Sequence, residues 1–214
     1  MSLTLASALA QMPLVAILRG VKPDEVEAIA EAIVAAGIRI LEVPLNSPDP
    51  LTSIGLLARS LAGRALVGAG TVLTVEDVAG VAEAGGTVIV SPNTNVEVIR
   101  ASKARGLLSL PGFFTPTEAF AALDAGADAL KLFPAEMASP AAVKAMRAVL
   151  PRSTKLLVVG GVSPQTIPPY LAVGVDGFGV GSDLYSAGRG AAEVGERAAA
   201  LTAAIRALNG ERTA

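Results

Sequence analysis

The 214-residue chain is 52% hydrophobic, balances 17 Lys+Arg against 19 Asp+Glu, and contains neither histidine nor cysteine. A net charge of −2 without a long run of either sign argues against nucleic acid or an anionic membrane as a main partner. The missing His and Cys exclude disulfides, thiolate chemistry, Ser-His triads and His-ligated zinc, and fit a cytoplasmic address.

The opening segment MSLTLASALAQMPLVAIL is apolar but has no Lys or Arg before Arg19, so it reads as a short helix over 3–11 rather than a secretory leader. No apolar stretch is long enough to span a membrane. From residue 13 onward, short β-branched or Leu-rich runs alternate with Ala-rich amphipathic stretches. The strand candidates are 14–19, 38–45, 65–70, 87–92, 107–112, 129–134, 155–161 and 177–182, eight in all. Between them lie helical patterns such as PDEVEAIAEAIVAAG, with Pro23 suited to a first turn and Gly37 to a C-terminal cap. A helix end followed by Gly recurs in AAGIRI, EAGGTVI and DAGADAL, as a repeated unit would give. A final helix is predicted over roughly 189–208, and the tail 209–214 is expected to fray.

Strict alternation of strand and helix implies a parallel sheet with right-handed crossovers, and eight units close a single-domain (β/α)8 TIM barrel over 13–208. A doubly wound open sheet is the alternative. It is set aside because no opening strand carries a G-x-G-x-x-G turn.

A barrel of this kind carries its chemistry at the C-terminal ends of the strands, which here read Arg19, Glu42, Thr71, Pro92, Pro111, Lys131, Gly160 with Gly161, and Gly181 with Ser182. Lys131 stands out, because it lies between Leu130 and Leu132 in ADALKLFPAE. Desolvation favours the neutral amine, and a neutral lysine is a nucleophile suited to a Schiff base. Alternation along each strand puts Arg19 with Val15 and Ile17, Glu42 with Ile38 and Ile40, and Lys131 with Ala129 and Phe133. Glu42 and Lys131 then meet across the barrel mouth. The structural alternative is a salt-bridge cluster of Arg19, Glu42 and Lys131. With a single carboxylate at these positions, catalysis is expected to need neither metal nor cofactor, with Lys131 as nucleophile and Glu42 as proton carrier. Glycines in VVGGVSPQT and GVGSDLYSAG, in the loops after strands seven and eight, offer open N–H groups to a phosphate, aided by a helix N-terminus.

Taken together, AILRG (16–20), EVPLNSP (42–48), GAGTVL (68–73), SPN (91–93), PGFFTPTEA (111–119), KLFPAE (131–136), VGGVSP (159–164) and GSDLY (181–185) resemble the class I aldolases that cleave 2-keto-3-deoxy-6-phospho sugar acids. The resemblance spans about 13–188. It implies that Lys131 forms the Schiff base, Glu42 moves protons, and Arg19 and Thr71 contact substrate, with Pro92, Phe133, Val159 and Asn46 beside them. Gly160, Gly161, Gly181 and Ser182 would hold the phosphate. The implied partners are a phosphorylated 2-keto-3-deoxy sugar acid and pyruvate, and the implied assembly is a homotrimer.

Two subtypes differ in C4 configuration, and EVPLN with VGG resembles the galacto type. Gluco-type enzymes commonly carry Arg and Thr at the positions of Asn46 and Val159. Without that Arg, Arg19 and Thr71 are left to anchor the carboxylate. A gluco or dual-specificity aldolase is the nearest alternative. A phosphosugar isomerase using Glu42 as base, or a non-catalytic phosphate-ligand sensor, lies further off.

Overall fold

The computed structural model describes residues 3–211. Helix α1 (Leu5–Gln11) opens on Thr4, whose hydroxyl accepts from Ser7 N–H while Ser7 Oγ accepts from Thr4 N–H. Strands β1 (Leu14–Ile17), β2 (Ile40–Pro44), β3 (Leu66–Gly70), β4 (Val88–Val90), β5 (Leu108–Leu110), β6 (Gly112–Phe113), β7 (Leu130–Leu132), β8 (Leu156–Val159) and β9 (Gly177–Val180) all run parallel. They are ordered β5-β4-β3-β2-β1-β9-β8-β7-β6.

The expected fifth strand is thus split in two. Pro111, lacking an N–H, interrupts the ladder between β5 and β6. Since β5 and β6 are consecutive in the chain, the two ends of the sheet come together and the barrel has eight walls. Gly112 sits at this seam, where a Cβ would press on the Pro92 carbonyl and the Asn93 amide.

The helices between the strands are α2 (Pro23–Ala35), α3 (Pro50–Ser60), α4 (Val75–Glu83), α5 (Val96–Ala104), α6 (Pro116–Asp124), α7 (Pro140–Val149), α8 (Ile167–Ala172) and α9 (Ala191–Glu211). Pro23 opens α2, and Gly37, Gly85 and Gly126 all take positive φ after helix ends, as the repeated AG motif predicts. Helix α9 starts two residues later than expected and continues to Glu211, so 209–211 belong to a helix rather than to a frayed tail; 212–214 lie outside the described residues.

Two aspartates tie helices to strands in the same way. Asp128, after α6, accepts from Ser109 N–H at 2.8 Å and from Lys103. Asp176, after α8, accepts from Leu156 N–H at 2.9 Å, from Lys155 and from Arg147. Each carboxylate fixes the entry of the preceding strand with charge-assisted hydrogen bonds.

Apolar residues separate into two layers. One fills the space between sheet and helices. The other fills the barrel interior with Val15, Ile40, Leu66, Val88, Val90, Leu110, Ala129 and Leu157, closed below by Leu5, Ala8 and Leu9 of α1. The interior therefore takes alternate residues of each strand, as side-chain alternation requires. Ile38, expected inside with Ile40, lies in the outer layer, because β2 begins only at Ile40.

Candidate active site

Glu42 is the central residue of β2 and Lys131 the central residue of β7, so they lie two residues and one residue, respectively, deeper than the strand ends, where the sequence reading put them. Their parity with Ile40 and Ala129 turns both inward. Beneath them is an apolar floor of Val15, Ile17, Val90, Leu110, Leu157 and Val159. Glu42 is 2% exposed and Lys131 7% exposed.

Such a floor offers no solvation to charge. Burial pushes the Glu42 carboxyl up to about 7, against the opposing pull of Lys131 and Arg19. Burial likewise holds Lys131 below its ordinary range, opposed by Glu42 and reinforced by Arg19. The Lys131 Nζ also stands 4.7 Å from the centre of the Phe133 ring, two residues on along the same face.

The expected salt-bridge alternative does not form. Glu42 Oε2 is buried with no hydrogen-bond partner, and Arg19 turns elsewhere, donating to Asn46 Oδ1 and, at 3.4 Å, to Thr71 Oγ1. Thr71 reaches that position with φ +59, a left-handed backbone that a β-branched residue rarely adopts. Strain of this kind collects at functional sites.

These groups open into a cavity of about 200 Å³ lined by Arg19, Glu42, Thr71, Pro92, Lys131, Phe133, Glu136, Val159, Gly160, Gly161, Gly181 and Ser182, among others. Eleven of the twelve site residues expected from the sequence are in this lining. Asn46 is not; it stands behind Arg19 and holds the guanidinium. A larger hollow of about 970 Å³ lies at the opposite end of the barrel, between α1, the end of α2 and Arg64, but it contains neither an amine nor a carboxyl removed from water.

Gly160 and Gly161 take φ of +113 and +61, so this turn requires glycine. Space around Gly181 is open. No backbone carbonyl of the described residues accepts from the N–H groups of Gly161, Ser182 or Asp183. The expected helix N-terminus is absent here, because α8 starts only at Ile167 and Thr166 caps the intervening turn by donating to the Gly161 carbonyl. The loops therefore offer amide donors rather than a helix dipole.

Two residues escaped the sequence reading. Glu136, in the 3-10 turn Ala135–Met137, lays its carboxylate over Gly160 and Gly161, where a Cβ on Gly160 would overlap Oε2. Gly70 falls inside the expected strand 65–70, but no role at the site was expected of it, and the Glu42 carboxyl lies over it. The motif KLFPAE contained Glu136, but nothing periodic follows Lys131 to show where that side chain turns.

An amine held below its ordinary range, a carboxyl poised near neutrality, a guanidinium and a ring of amide donors suit imine chemistry on a small anionic keto compound. The family model for KDPG and KHG aldolase matches residues 5–201. The chain is 46% identical over 200 residues to the probable 2-dehydro-3-deoxy-6-phosphogalactonate aldolase of Rhizobium meliloti (strain 1021), covering 94% of each. It is 44% identical over 196 residues to the 2-dehydro-3-deoxy-6-phosphogalactonate aldolase of Escherichia coli (strain K12), covering 92% of this chain and 96% of that one. A solved structure described as native KDPGal superposes with a TM-score of 0.92 at 42% identity, covering 98% of this chain and all of the other. In sequence and in fold, the chain belongs to the KDPG and KHG aldolase family.

Proposed function

We propose that this protein is a Schiff-base aldolase that cleaves 2-dehydro-3-deoxy-6-phosphogalactonate to pyruvate and glyceraldehyde 3-phosphate. The observation that carries the chemistry is the burial of Lys131 and Glu42 on one apolar floor. The choice of the galacto acid rests on similarity to relatives bearing that name and on Asn46 and Val159.

The Lys131 amine adds to the C2 ketone, and loss of water gives an iminium. Glu42, as carboxylate, takes the proton of the C4 hydroxyl. The C3–C4 bond then breaks, its electron pair passing into the iminium to form an enamine, and the phosphorylated aldehyde leaves. Protonated Glu42 returns the proton to C3, and water releases pyruvate from the lysine. One group can serve both steps because its affinity for protons lies near neutral pH. Arg19 and Thr71 face the substrate carboxylate, Pro92, Phe133 and Val159 wall the carbon chain, and Asn46 acts through Arg19. The amides around Gly160, Gly161, Gly181 and Ser182 receive the phosphate. We assign the protein to the cytoplasm and to a homotrimer, for which the exposed Phe114 and Met137 supply apolar contact surface.

Borohydride added with pyruvate tests the reading. Mass mapping should find one reduced adduct, on Lys131, with loss of pyruvate release from the phosphorylated acid. Adducts scattered over surface lysines with activity retained would overturn it, and an isomerase would keep working without any adduct.

A further inference from the structure

Gly70 ends β3 with its Cα in register with Pro44, and its carbonyl accepts from Leu45 N–H at 2.8 Å. Its φ is not positive, so the backbone there suits any L-residue. Gly68, two residues earlier, is explained by backbone packing, since a Cβ would run into Val88 N, C and O. At Gly70 the obstacle is different. A Cβ would overlap Oε2 and the carboxyl carbon of Glu42 and stand 2.5 Å from Oε1, and no other residue is among the three nearest atoms.

We propose that Gly70 is a positioning residue: its missing side chain is the seat that holds the Glu42 carboxyl group inward, facing the lysine. Three facts point the same way. The carboxyl fills the place of the absent methyl, the three atoms nearest to that place all belong to Glu42 while φ is not positive, and Oε2 has no hydrogen bond of its own to hold it. A buried carboxyl without a donor must be held by shape. The seat also explains how a carboxyl stays in an apolar floor instead of swinging towards water, because the strand leaves a space there that the carboxyl fills. The inference rests on the proton-carrier role of Glu42 in the proposed reaction.

The test is Gly70→Ala in two backgrounds, wild type and Glu42→Asp. Alanine should displace the glutamate carboxyl by about an ångström and lower cleavage kcat by about 10²-fold, while borohydride still traps pyruvate on Lys131. Aspartate is one methylene shorter and withdraws from the seat, so adding Gly70→Ala there should cost less than about threefold. Carboxyl carbon titration by NMR supplies a readout independent of turnover. The charged groups facing Glu42 are Lys131 and Arg19, and Glu136 and Asp183 line the same cavity. Since burial outweighs those charges, the Glu42 midpoint should fall from about 7 towards 4.5 in Gly70→Ala.

An equal loss in both backgrounds, or an unmoved midpoint, overturns the inference. If Gly70→Ala alone fails to fold, the pair with Glu42→Asp should fold; failure of both overturns it as well. A wild-type protein that releases no pyruvate from the phosphorylated acid would refute the reaction, yet the titration would still report on the seat.

Discussion

Glu42 and Lys131 project into the same apolar floor from β2 and β7, yet Glu42 Oε2 receives no hydrogen bond. The pair is held apart by the barrel rather than joined as a salt bridge, so each group keeps a proton affinity set mainly by burial. Glu42→Gln should leave pyruvate imine formation on Lys131 largely intact and slow both C–C cleavage and pyruvate proton exchange by about 10²–10⁴-fold. In the wild type, kcat/KM for cleavage should rise with pH through a midpoint near 7, because the carboxylate is the active form. Trapping, exchange and a pH profile on the two proteins check this. Wild-type rates in the variant would make Glu42 structural.

The same burial predicts a stability effect. The folded Glu42 titrates at about 7, above its ordinary 4.5, so between these values the folded state binds more protons than the unfolded state. Stability from this group is then full below the lower value and falls as pH rises through the upper one. Glu42→Gln removes that loss but deprives Lys131 of its opposing charge. A net gain of about 1–3 kcal/mol at pH 8, shrinking towards pH 5, is expected from denaturant unfolding at the two pH values. A variant less stable at pH 8 than the wild type would contradict it.

Much of this was legible in the sequence because it depends on local chemistry. Alternation of strand and helix gave the barrel, and a lysine between two leucines marked its buried amine. Pro111 signalled a break that a run of apolar residues concealed. Features requiring two distant segments were not legible. Gly70 looks like any strand-end glycine until Glu42 is seen lying over it, and Asp128 and Asp176 look like loop residues until their strand partners appear. Asn46 was grouped with the substrate-contacting residues, whereas the fold sets it outside the cavity lining, against Arg19.

Thr71 offers a trade of stability for function. Its φ of +59 costs a β-branched residue about 1–3 kcal/mol, of which glycine would recover part against its own entropy. Thr71→Gly should raise Tm by about 2–4 °C. It should also raise KM, because the hydroxyl beside Arg19 is lost. Calorimetry and steady-state kinetics measure the two arms, and a lower Tm would show that the conformation is unstrained.

The glycine loops should make the phosphate decisive for efficiency. Gly161→Leu places a side chain on a φ of +61 against Glu136 and should raise KM for the phosphorylated acid much more than for its dephospho analogue. Glu136→Gln should act oppositely. Removing an exposed negative charge beside the loop is worth about 0.5–1 kcal/mol, so KM for the phosphorylated acid should fall about two- to fivefold, and less at high salt. Equal efficiency on phosphorylated and dephospho acids would remove the phosphate assignment.

Epimer choice is expected to turn on Val159, which ends β8 just before the Gly160–Gly161 turn and is 7% exposed. Its methyls point inward over Gly179, where a Cβ would meet Val159 Cγ1 at 3.2 Å and Ile17 Cδ1 at 3.3 Å. The side chain therefore has a fixed direction, set by a glycine that leaves room for it, and it lines the same cavity as Lys131 and the glycine loops. Valine and threonine share that shape, so exchanging them changes hydrogen bonding more than volume. A hydroxyl there can pair with the C4 hydroxyl in one configuration only, while valine pairs with neither. Val159→Thr should shift the ratio of kcat/KM towards the gluco acid by about 1–2 kcal/mol, the scale of one net hydrogen bond. Measuring both epimers on both proteins tests it: a shift of about five- to thirtyfold is expected, and an unchanged ratio would mean that the C4 configuration is read elsewhere.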